Sequence, residues 1–314
     1  MKGLELSEQY FETYGRQMLE REFPALLPYL AAGLCGSGSE CLGYDDAVSR
    51  DHDFEPGFCI FIAGSDEERE DRLPFIGRQS EFQLSRAYGK LPGEFLGLKR
   101  SYIQPSGGRR MGVIRADAFF TERCGHPRGE LSLREWLRVP EQLLLEACSG
   151  KIFHDPSGLM TEVRERLSRF PEDIRRKKAA GALVLMKQSG LYNCPRAIGR
   201  GEGEAARLEA TAFIKAAAHL LFLLHSRYMP YDKWLFRALR ELPGEAAMAG
   251  RLSAVFTADE NALPALLAGL SEDLTRRAAE GFGLAPAETE ALAFQLNDSV
   301  SSAEIRALHI LSGT

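Results

Sequence analysis

The residues best suited to chemistry lie between Gly36 and Pro56, GSGSECLGYDDAVSRDHDFEP, where small residues come first and paired acids last. Gly36, Ser37, Gly38 and Ser39 allow the backbone to bend sharply and turn several N–H groups toward one anion, as Gly-rich phosphate cradles do. Asp51 and Asp53 then flank His52. In an extended chain residues two apart share a face, so the two carboxylates converge and His52 turns away into a supporting role. Converging carboxylates attract a hard divalent cation, and Mg²⁺ is usually held by one or two carboxylates plus substrate phosphates. The rival reading is a solvated turn, since Asp45 and Asp46 show that acids are plentiful here. The Gly-Ser pairs before the acids and the apolar run after them favour the metal site.

Rigid elements must hold these groups. The run from Phe58 to Ile62 predicts a buried strand, and Tyr29 to Cys35 predicts a first strand that delivers the Gly-Ser loop at its end. Tyr10, Tyr14 and Met18, with Phe11 and Phe23, predict an amphipathic helix over residues 7–23. Ser65 and the acids after it predict a helix start with a solvated face, and residues 79–89 a further helix. KLPGEFLGL reads as loop, and KRSYIQ and RMGVIRA flank PSGG as two strands of a hairpin. Alternation then puts Val113, Arg115 and Asp117 on one face, with Asp117 either aimed at a site or merely capping a turn toward Phe119.

The pattern changes near residues 125–130. Ser132 and Glu135 form a capping box, Pro140 and Pro171 open helices, and the chain reads as helical from there on. Along residues 202–227, Phe213, Ala217, Leu220, Leu221 and Leu224 make a core stripe, while Glu204, Arg207, Thr211 and Lys215 occupy another side. That polar stripe is either a solvated face or the lining of a cleft. Tyr228, Tyr231, Lys233 and Trp234 follow, an aromatic and cationic cluster that can stack a base or simply pack.

The 314 residues are 45% hydrophobic, enough for two cores. Six cysteines show no CxxC spacing, which suits a reducing cytoplasm. The start of the chain has no apolar core of signal-peptide type, and the apolar-rich run at residues 210–225 is broken by Lys215 and His219, so neither secretion nor a membrane span is expected. A net charge of -5 without a basic block disfavours extended nucleic acid but leaves an RNA end open as a partner.

Gly38 and Ser39, separated by residues 40–50 from Asp51 and Asp53, resemble the signature of the polymerase-beta-like nucleotidyltransferase superfamily. The run AGLCGSGSECLGYDDAVSRDHDF resembles more closely a bacterial branch labelled only as a domain of unknown function. WLRVPEQLLLEACSGKIFHD, RFPEDIRRKKAA and FLLHSRYMPYDKWLFRALRELP look like later pieces of that branch, so the resemblance spans most of the chain. It implies an α+β fold, with a nucleotidyltransferase-like mixed sheet and flanking helices over residues 1–127 and an all-α domain over 128–314. It further implies NTP as substrate with Mg²⁺ or Mn²⁺, the metal ligated by Asp51 and Asp53. A third acid on a nearby hairpin strand would be Asp117. Gly36, Ser37, Gly38 and Ser39 would hold the outer phosphates. The helical domain would choose the substrate, and Arg207, Lys215 and Lys233 are the candidate nucleotide contacts. The reaction implied is transfer of an NMP to a hydroxyl-type acceptor, open among a small molecule, an RNA end and a protein, with release of pyrophosphate. The alternative is a nucleotide-binding regulator or antitoxin-like protein without turnover. A nuclease or phosphatase using the same acids gives no reason for the Gly-Ser loop. These motifs carry no information on oligomeric state.

Overall fold

A computed structural model describes residues 1–48, 54–64, 76–100 and 111–314. Its first half contains helices α1 (Gly3–Tyr10), α2 (Arg16–Glu22), α3 (Arg78–Gly89), α4 (Ala116–Cys124), α5 (Leu133–Arg138), α6 (Glu141–Cys148) and α7 (Leu159–Arg166). It also contains strands β1 (Leu30–Cys35), β2 (Cys59–Ile62), β3 (Glu94–Phe95), β4 (Leu98–Lys99), β5 (Gly112–Arg115) and β6 (Gly150–His154). The rest is helical: α8 (Glu172–Met186), α9 (Cys194–Ile198), α10 (Gly203–Leu224), α11 (Asp232–Glu241), α12 (Ala246–Ala254), α13 (Leu263–Phe282), α14 (Thr289–Asp298) and α15 (Ala303–Arg306). The fold is therefore α+β, with a small mixed sheet and many helices.

The chain divides into two compact units. One comprises Met1–Glu130 and Leu143–Ser168, the other Leu131–Gln142 and Arg169–Thr314. Where the sequence predicts a single change to helix at 127/128, residues 143–168 return to the first unit. The reason is β6, which pairs antiparallel with β1 and completes the sheet order β5-β2-β1-β6.

In the first unit β1 and β2 are central and buried at every position, so their apolar runs are continuous rather than alternating. Phe58, Ile60 and Ile62 pack with Tyr10, Phe11, Leu84 and Tyr88 on one face. Phe61 points the other way and meets Phe119 of α4 edge-on at 5.2 Å. The expected first helix runs from Gly3 to Glu22, with a π-helical turn at Phe11–Gly15. Gly15 is required there because a Cβ would lie 2.4 Å from the Phe58 ring.

The expected hairpin falls largely on residues 101–110, which lie outside the described residues, and its second run forms β5. β5 pairs in parallel with β2, Cys59 opposite Gly112 and Ile62 opposite Arg115. Leu98 and Lys99 instead pair with Glu94 and Phe95 across a tight turn whose Leu96 and Gly97 both have positive φ, so the stretch read as loop contains the small hairpin. Residues 101–110, and the predicted helix start at Ser65, lie outside the described residues.

In the second unit α8 and α10 pack side by side, with α13 and α14 against them. The Phe213, Ala217, Leu220 and Leu221 stripe is fully buried. The Ser132 and Glu135 capping box forms as read, the Ser132 N–H donating to Glu135 Oε2 at 2.7 Å. Among the described residues no helix is long and apolar enough to cross a membrane.

Candidate functional site

The Gly-Ser loop leaves the C-terminal end of β1. Gly36 and Gly38 both adopt positive φ, +105° and +120°, conformations that a side chain would strain. The loop's carbonyls are engaged: Tyr44 N–H donates to Ser39 O at 2.7 Å, and Gly150 N–H of β6 to Cys41 O at 2.9 Å. Its amides are not. Among the described residues the N–H groups of Ser37, Gly38 and Ser39 have no acceptor. Successive free amides beside positive-φ glycines are the makings of an anion-binding concavity.

Arg123, in the last turn of α4, reaches this loop. Its Nη2 lies 3.0 Å from where a Gly36 Cβ would be. The guanidinium stacks on Phe119 at 3.8 Å, and Nη1 donates to the Phe119 carbonyl at 3.0 Å. Arg164 stands nearby but is committed, its Nη2 donating to the carbonyls of Cys148, Ser149 and Gly150. Burial pushes the Cys35 thiol up to about 11 against the pull of both arginines, so it stays a neutral thiol. Asp45 is spent on the fold: its Oδ2 accepts from Gly3 N–H at 2.8 Å and its Oδ1 pairs with Lys2.

Asp51, His52 and Asp53 lie outside the described residues. Phe54, which follows them, brings its ring within 3.7 Å of a Cβ position at Gly3, and Glu40 of the loop lies 2.7 Å from that same position. Asp117 lies in a helix rather than at the strand end expected for it. β5 stops at Arg115, so the alternation does not extend to it, and Asp117 sits in the first turn of α4. Its Oδ1 accepts from Ala118 N–H at 2.9 Å and lies 3.8 Å from Arg115 Nε. An acid there favours the helix dipole. The register puts the Asp117 end of β5 beside Ile62 and Leu30, and the Gly36 loop follows the opposite end of β1. Among the described residues no cluster of three or more His, Cys, Asp or Glu could hold a metal ion.

In the helical unit the three expected cations part company. Arg207 donates to the Val255 and Ala258 carbonyls at 3.4 and 2.7 Å, securing the end of α12. Lys233 is exposed over the Trp234 ring at 5.7 Å. Lys215 pairs with Asp232 at 2.7 Å on the rim of a cavity of about 400 Å³ that His219 and Glu209 also line.

Two arrangements escape the sequence reading. Arg123 has no sequence signal, since a basic residue in a last turn is ordinary helix chemistry. The other is Glu141, buried under α10, whose Oε1 meets His219 Nε2 at 3.0 Å and whose Oε2 accepts from Met229 N–H at 3.3 Å. Burial pushes Glu141 upward, but His219, Lys178 and the Met229 amide outweigh it and hold it below the usual carboxylate range. The signal for this pair was His219 itself, a polar residue inside an apolar run.

No curated protein and no solved structure gives a significant match. Residues 136–235, from Trp136 in α5 to Leu235 in α11, match the family described as Domain of unknown function (DUF4037), which covers the Glu141–His219 pair and stops short of the Gly36 loop.

Proposed function

We propose that the protein is a metal-dependent nucleotidyltransferase that moves an NMP from an NTP to a hydroxyl-type acceptor. What supports this reading is the Gly36–Ser39 loop, with two positive-φ glycines, three amides lacking an acceptor among the described residues, and a guanidinium beside it. Such a loop fits the outer phosphates of a triphosphate, whose negative charge needs fixed donors. Hard carboxylates suit Mg²⁺, and Asp51 and Asp53 are the residues that would hold it. The ion, when bound, neutralises charge on the reacting phosphoryl oxygens. The acceptor hydroxyl gives up its proton to solvent as its oxygen attacks the α-phosphorus, the bond from the α-phosphorus to the bridging oxygen breaks, and pyrophosphate leaves with that electron pair. The loop amides and Arg123 hold the leaving part in line.

A specific observation favours a second reading, nucleotide binding without turnover. Asp117, the expected third acid, belongs to the other end of the sheet from the loop. Incubation with each α-labelled NTP, Mg²⁺ or Mn²⁺ and a cell extract tests both readings. Labelled small molecule, RNA or protein with pyrophosphate release, lost in Asp51→Asn and Asp53→Asn, is the expected result. Metal-dependent NTP binding without release would select the second reading, and no NTP binding at all would reject both.

A further inference from the structure

We infer that Arg123 is a built-in phosphate ligand of the Gly36 loop, so that the loop grips a terminal phosphate of a polyphosphate chain before any metal arrives. For the natural ligand, an NTP, this rests on the reading above. For the binding chemistry it stands on the geometry alone. A guanidinium binds oxyanions through paired N–H donors in a fixed fork, and the edge carrying Nε and one Nη is one such fork. In Arg123 the other nitrogen, Nη1, is already used by the Phe119 carbonyl, and the flat face is used by the Phe119 ring. These two contacts fix the side chain and leave the Nε and Nη2 edge.

That edge has no hydrogen-bond acceptor among the described residues. Nε is fully buried and has no hydrogen-bond partner, and Nη2, the atom facing Gly36, makes no hydrogen bond among the described residues. The side chain as a whole is 14% exposed. A buried donor without a partner costs about 1–3 kcal/mol, more when charged, and an oxyanion bound at Nε would remove that cost. Neighbouring counter-charge is incomplete. Glu146 Oε2 stands 4.0 Å from Nε, beyond hydrogen-bond reach, and Glu122 at 3.5 Å from Nη1 is 80% exposed. The Cys35 thiol is neutral and offers no anion. Arg164 differs from Arg123 because its Nη2 is saturated by three carbonyls, which makes it a structural clamp. Positive charge from Arg123 and free amides from Ser37 to Ser39 therefore meet at one loop, and a tetrahedral oxyanion satisfies both.

The test is calorimetric titration of the full chain with inorganic tripolyphosphate in EDTA, with orthophosphate and sulfate as parallel arms. Tripolyphosphate should bind most tightly. Arg123→Met, which keeps the packing stem, should weaken it about tenfold or more, and Arg123→Lys should fall between the two. Glu146→Gln removes the carboxylate that stands 4.0 Å from Nε and should tighten binding about two- to fivefold, a gain that misfolding cannot produce. Unchanged tripolyphosphate affinity in a folded Arg123→Met variant overturns the inference, as does weaker binding in Glu146→Gln. Equal affinity for sulfate and tripolyphosphate overturns the polyphosphate assignment. If the Arg123 effect holds while Mg²⁺ and labelled NTP give no metal-dependent binding, the nucleotidyltransferase reading fails and the phosphate ligand stands. The reverse pattern removes Arg123 and leaves that reading intact.

Discussion

Glu245 and Arg123 are both charged groups withdrawn from water, and the two units treat them oppositely. In the helical unit Glu245 is 1% exposed, and both its oxygens are taken: His225 Nε2 lies at 2.8 Å and Arg277 donates through both terminal nitrogens. Lys177, wholly buried, donates to Asn297 Oδ1 at 2.7 Å and to the Leu308 carbonyl at 2.6 Å. In the first unit, buried nitrogens of Arg123, Arg128, His154 and Arg164 have no hydrogen-bond partner, and among the described residues the second unit contributes none. Buried charge with its partners in place is costly to break apart, whereas a buried donor without one leaves room for a ligand or an ordered water to complete it.

The sharpest way to break this contrast is to remove one partner on each side. Glu245→Ala leaves Arg277 and His225 facing an empty buried position and should cost about 3–5 kcal/mol in urea unfolding. Arg123→Met should cost less, about 1–2 kcal/mol, since it removes the Phe119 carbonyl bond and the stacking on the Phe119 ring, while its ion pairs are long or exposed. A large loss for Arg123→Met would show that it is structural and end the comparison.

Next in size is Lys177→Met, which leaves two acceptors unfulfilled but fills the same space, and about 1–3 kcal/mol should be lost. Acid should expose the same design. Burial raises Glu245 and Glu141, but their partners outweigh it and hold both below the ordinary range. Their folded pKa values lie under the unfolded ones, so the stability they add is present above about pH 4.3 and is lost as pH falls through the depressed values. Glu141→Gln should flatten that acid limb in a stability-against-pH series, and an unchanged limb would mean that the His219 contact contributes nothing to folding. The smallest effect belongs to Lys233→Ala, within about 0.5 kcal/mol, because its cation is exposed. Any fall in NTP affinity for that variant therefore reports contact with nucleotide.

The central strands were legible because Cys59–Ile62 and Leu30–Cys35 are short apolar runs buried on both faces, and the Ser132 box because capping is local chemistry. β6 was not. As an edge strand, GKIFH is only half-buried, and its pairing with β1 is decided 115 residues away, at Cys35 opposite Gly150. Asp117 was misread because alternation was carried two residues past the end of β5. Arg123 was invisible because nothing local says that α4 folds back along the sheet to bring its last turn to Gly36.

The return of residues 143–168 has a consequence for the order in which the protein is made. A ribosome delivers Gly36 long before Gly150, yet Gly150 supplies both the strand partner of Cys35 and the amide that pins the Cys41 carbonyl. Until β6 emerges, the nascent first unit has an open edge at β1, and the Gly36 loop lacks the amide that pins it. A chain cut at Glu130 would stay in that unfinished form, so the loop is to be assayed on a chain that reaches at least Ser168.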